Sequence, residues 1–99
     1  MHKIINIDFE TETEFIQALD KYADIIHNNT LYGIYKAVSD DDDIAPIAFL
    51  NRDSLMAIPK EQWLDNLEHT LEYFISTEEY EKCAFLQEYI NGLENNKQK

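Results

Sequence analysis

Cys83 is the chain's one thiol, so no internal disulfide can staple the fold. Glycine and proline are almost as scarce, with two of each. The glycines, Gly33 and Gly92, stand too far apart to form the Gly-rich loop that cradles phosphates. Basic residues are few as well: eight Lys and Arg face twenty Asp and Glu, a net charge of −12 at pH 7. The excess is spread along the chain. Residues 1–30 hold two basic and six acidic residues, 31–59 two and five, and 60–99 four and nine, so no segment hides a basic patch. Binding to nucleic acid or to anionic membrane needs clustered Lys and Arg, which disfavours both. No apolar run reaches membrane-spanning length, and no basic start followed by an apolar run marks a leader near Met1. The expected compartment is the cytoplasm.

What is present suffices for a core. Ninety-nine residues, 44% hydrophobic and 12% aromatic, fit a single domain over residues 1–94, with NNKQK (95–99) as a frayed tail. Residues 3–9 alternate, with Ile5, Ile7 and Phe9 on one face and Asn6 and Asp8 on the other, which predicts a half-buried strand. Thr11 and Glu14 fit a capping box, and Phe15, Leu19, Tyr22 and Ile26 form a helical stripe. A helix is therefore expected over 12–27, stopped by His27-Asn28-Asn29-Thr30. LYGIYKAV (31–38) and IAPIAFL (44–50) read as a β-hairpin with SDDDD at its tip, Pro46 making the second strand an edge or starting it beyond the proline. Pro59 suits the first turn of a second helix, which carries Leu64, Leu67, Leu71 and Phe74. Ser76 with Glu79 fits a second capping box, so a third helix follows at once and lies antiparallel to the second. The expected fold class is α+β: a small antiparallel sheet packed with helices, in the order β-α-β-β-α-α, ending in an antiparallel helical hairpin.

Chemistry is poorly supported. His2, His27 and His69 lack a His or Cys at zinc-ligand spacing, and Cys83 falls on an apolar stripe where a thiol is packing rather than nucleophile. Asp40, Asp41, Asp42 and Asp43 lack the alternating ligands, turn glycine and distal glutamate of a calcium loop. A solvated acidic loop is the plainer account of them. The chain reads as no enzyme, with no metal and no cofactor.

Binding is better supported. Trp63, Tyr73, Tyr80, Phe85 and Tyr89, with the other aromatics of the chain, exceed what a small core must hide. Beside Glu72, Glu81 and Glu88 they form a candidate partner surface. The stretch Glu79-Tyr80-Glu81-Lys82-Cys83-Ala84 with Leu86, Ile90 and Leu93 resembles the second helix of the UVR hairpin of the excision-repair proteins UvrB and UvrC. Gln87-Glu88 stands where that family has Arg-Asp, and Cys83 where it has Ala. Over residues 64–94 the resemblance implies a helical hairpin that pairs with a similar hairpin or another protein surface, without catalysis. The expected partner is another protein, one with a basic surface suiting the charge, or a second copy forming a homodimer. The alternative is an acidic inhibitor, phage-like in character, that presents carboxylates where a basic site expects nucleic-acid phosphates.

Overall fold

The computed structural model describes residues 4–97. His2, Lys3 at the expected start of the first strand, and the last two residues of the expected tail lie outside the described residues. The chain is α+β and divides into two compact units, one ending at Lys60 and the other beginning at Glu61.

In the first unit, β1 (Ile5–Ile7) keeps the alternation its sequence predicts. Ile7 is buried, Ile5 and Phe9 pack against the same cluster, and Asn6 and Asp8 are exposed. Thr11 then caps α1 (Glu12–Lys21), its Oγ1 accepting the Glu14 N–H at 3.1 Å. The Glu14 carboxylate reaches back to the N–H of Glu10, one residue earlier than a capping box requires. The Phe9 and Phe15 rings, 4.6 Å apart, fix the entry of the chain into this helix.

After a single non-helical residue, Tyr22, the chain re-enters helix as α2 (Ala23–Ser39). This corrects two expectations, the stop at residues 27–30 and the strand over 31–38. The polar run is absorbed because its side chains find partners without leaving the helix. Asn28 Nδ2 donates to the Asp24 carbonyl and Thr30 Oγ1 to the Ile26 carbonyl, each at 2.8 Å, while Asn29 Nδ2 reaches the Ile47 carbonyl at 3.1 Å. Thr30, Leu31, Gly33, Ile34 and Ala37 are all buried, a helical spacing that tertiary packing rewards over the β propensity of the same residues.

The helices are the crossover of a parallel strand pair. Strand β2 (Ile44–Leu50) runs parallel to β1 and antiparallel to β3 (Ser54–Pro59), in the order β1-β2-β3. The sheet is therefore mixed, not wholly antiparallel, because adjacent parallel strands need a long connection that a meander lacks. β2 is central, not an edge. Pro46 is tolerated because β1 pairs only with Ala48–Leu50, and a register shift between Pro46 and Ala48 marks the same spot. That irregularity leaves two sequence neighbours, Ile47 and Ala48, both in the core.

β3 was not expected. Pro59 pairs with Ile44 at the end of this strand instead of opening a helix, and a 3-10 turn (Lys60–Gln62) follows. Strands β2 and β3 are joined through Asn51 and Arg52, with φ of 52° and 59°, the left-handed pair a tight hairpin demands. The turn is tied to β1: Asn51 Oδ1 accepts the Phe9 N–H at 2.8 Å, and Asn6 Oδ1 accepts the Arg52 N–H at 2.6 Å.

The second unit is a packed helix pair, α3 (Trp63–Ser76) and α4 (Tyr80–Lys97). Trp63, Leu67, Thr70 and Phe74 form the buried stripe of α3, and Leu86 and Ile90 that of α4. Ser76 is the last residue of α3, not a cap for α4, and its hydroxyl donates to the Tyr73 carbonyl at 2.7 Å. Glu78 takes φ of 61°, and the N–H groups of Glu78 and Glu79 return to the Ile75 and Phe74 carbonyls. This Schellman arrangement satisfies the last orphan acceptors of α3 and turns the chain back. The helical run continues past Glu94 through Lys97, so the expected tail is helical for three of its residues.

Candidate functional site

The five aromatics chosen from the sequence do not form one surface. Trp63 is 4% exposed, which removes it from any surface: it begins the stripe shared with Leu67, Thr70 and Phe74. Tyr73 is half-buried, its ring meeting that of Phe74 edge-on at 5.7 Å. Tyr80 is 66% exposed. Phe85 is 43% exposed, and its ring lies nearly parallel to that of half-buried Tyr89, at 6.1 Å and 10°.

Helix geometry separates these residues. At about 100° per residue, Phe85 and Tyr80 fall on opposite sides of the Leu86–Ile90 stripe. The structure thus brings Phe85 and Tyr89 together and leaves Tyr80 across the helix; Ile75, at the end of α3, is exposed as well. Glu81 and Glu88, both exposed, flank Phe85. Lys82 is already engaged: its Nζ lies 2.9 Å from Glu79 Oε1 and 5.1 Å from the centre of the Phe74 ring.

The acidic residues Asp40 to Asp43 are all exposed, but they follow a helix and do not cap a β-hairpin. Asp41 takes φ of 58°, and the N–H groups of Asp41 and Asp42 return to the Val38 and Ala37 carbonyls, the same helix ending seen at Glu78. Asp40 pairs with Lys36 at 2.6 Å. That hydrogen bond and the carboxylate charge raise the Lys36 pKa above its ordinary value of 10.5. Among the described residues, no three His, Cys, Asp or Glu side chains are grouped to hold a metal ion. Cys83 is a half-buried free thiol. No helix of the described residues is long and apolar enough to cross a membrane.

Two further apolar exposures lie outside the surface chosen from the sequence, although Tyr32, Tyr35 and Phe49 count among its excess aromatics. Tyr32 and Tyr35 stand exposed on the outer side of α2, and Phe49 and Leu55 are exposed cross-strand partners on β2 and β3. A helical wheel drawn over residues 23–39 finds the first pair. The second becomes visible only once β3 is known.

No family model matches this chain, and neither a curated protein nor a solved structure matches it.

Proposed function

We propose that this is a non-enzymatic, acidic protein-binding module that grips its partner through the α3–α4 hairpin, chiefly the α4 flank that carries Phe85 and Tyr89. The observation that supports it most is the exposed ring of Phe85, stacked on half-buried Tyr89 and flanked along the helix by the exposed Glu81 and Glu88. A rigid aromatic anchor rimmed by polar groups is the form that binding hot spots take, each contributing about 2 kcal/mol or more. It is also the mode that the likeness to the UVR hairpin implies. A photo-reactive phenylalanine analogue placed at position 85 should cross-link one discrete partner in the cell that makes the protein. The same analogue at Ile16, an exposed position of α1, is the control. Equal yields from the two positions would remove the hairpin from the account.

A second reading rests on Asp40 to Asp43, four consecutive exposed carboxylates after the end of α2. They would occupy a basic site of a partner in place of nucleic-acid phosphates. Such binding falls steeply with salt, whereas packing on Phe85 does not. Replacing the four residues with Asn abolishes only the charge-based mode.

A further inference from the structure

Gly92 lies within α4, exposed, and a methyl built on its Cα would meet nothing within 4 Å. A helix is weakened by glycine relative to alanine, and no contact within the chain requires the missing side chain. The residue belongs to a ridge. Glu81, Phe85, Glu88 and Gly92 follow one another at spacings of four, three and four, which lines them along one face of α4. A bare Cα at the end of an aromatic ridge lets a second backbone come close.

The charge says which kind of backbone. Residues 78–94 carry five glutamates and one lysine, Lys82, whose charge is met by Glu79. Among the described residues no cation pairs with Glu81 or Glu88. A second copy of this chain would set glutamate against glutamate under a net charge of −12 on each molecule, which opposes self-pairing here.

Resting on the hairpin reading above, we infer that the occupant of this ridge is a basic amphipathic helix. It crosses α4 at Gly92, sets an apolar side chain against Phe85 and Tyr89, and pairs Lys or Arg with Glu81 and Glu88.

The test uses a synthetic Leu/Arg amphipathic helix about five turns long, and its Leu/Glu counterpart, titrated against the full chain by calorimetry. The Leu/Arg helix binds and the Leu/Glu helix does not. Gly92→Leu fills open space, leaves the fold intact by circular dichroism, and weakens binding by about tenfold or more, as does Phe85→Ser. Asn at positions 40 to 43 leaves the affinity within about twofold. If Gly92→Leu binds as tightly as the parent, or if only the Asn variant loses affinity, the peptide is held by bulk charge and the inference falls. Equal binding of the two peptides would refute the basic partner while leaving the hairpin reading intact. Failure of that reading shows separately, as equal cross-linking from positions 85 and 16. A concentration-dependent dimer abolished by Gly92→Leu would make the occupant a second copy and overturn the assignment.

Discussion

A methyl group built on Gly33 of α2 would meet the carbonyl oxygen of Pro46 on β2 at 3.2 Å, with Ile47 Cδ1 at 3.5 Å beyond it. Helix and sheet are in contact at this point, and the acceptor is backbone, which cannot swing aside. Overpacking of a tight site costs about 1–3 kcal/mol. Gly33→Val should therefore lower the unfolding free energy in urea by about 2 kcal/mol. A neutral result would mean that α2 can lift off β2 without loss.

The other glycine reverses the sign. Since Gly92 has open space around its Cα, Gly92→Ala should stabilise the chain by about 0.5–1 kcal/mol, the intrinsic helix preference for alanine. Thermal unfolding with and without the substitution reads this directly, and a lowered midpoint would show a contact at Gly92 that the structure lacks.

Glu78 closes α3 in the left-handed region at φ of 61°, where a residue with a Cβ is strained by about 1 kcal/mol. It also sets a negative charge at the carbonyl end of a helix, against the macrodipole. Glu78→Gly relieves both and should stabilise the chain by about 1 kcal/mol or slightly more. Denaturant midpoints at low and high salt separate the two terms, because only the dipole part is screened.

Phe85 and Leu86 are sequence neighbours with opposite duties. Leu86 is fully buried, so Leu86→Ala should cost about 2–5 kcal/mol. Phe85→Ser should change stability by less than about 1 kcal/mol, because much of the ring already faces water. A large loss at Phe85 would make the ring part of the core and count against its use as a binding anchor.

Lys36 and Asp40 supply a pH signature. The Lys36 pKa is raised in the folded chain, so its contribution to stability is fully present below 10.5 and disappears as pH rises through the folded value. In Asp40→Asn the ammonium should titrate at a lower pH than in the parent, toward 10.5, as followed by NMR of the lysine side chain. Both side chains are well exposed, so salt should narrow the difference.

Charge, alternation and helical period were legible in the sequence because each is carried by neighbours along the chain. The −12 charge is a sum that no conformation alters. Ile5, Ile7 and Phe9 share a face in any extended strand, and the capping hydroxyl of Thr11 acts on an N–H three residues away. The paired helices at residues 63–76 and 80–97 follow from spacings of three and four. Distant contacts decided the rest. Residues 31–38 have strand-forming side chains, yet they are helical because Gly33 admits a close-packed β2, and because a helix can cross over between parallel strands. Pro59 suits a helix start and a strand end equally, until Ile44 pairs with it. Which rings face water, Phe85 and Tyr80 but not Trp63, depends on how the surrounding chain packs around each helix, and no local pattern records that.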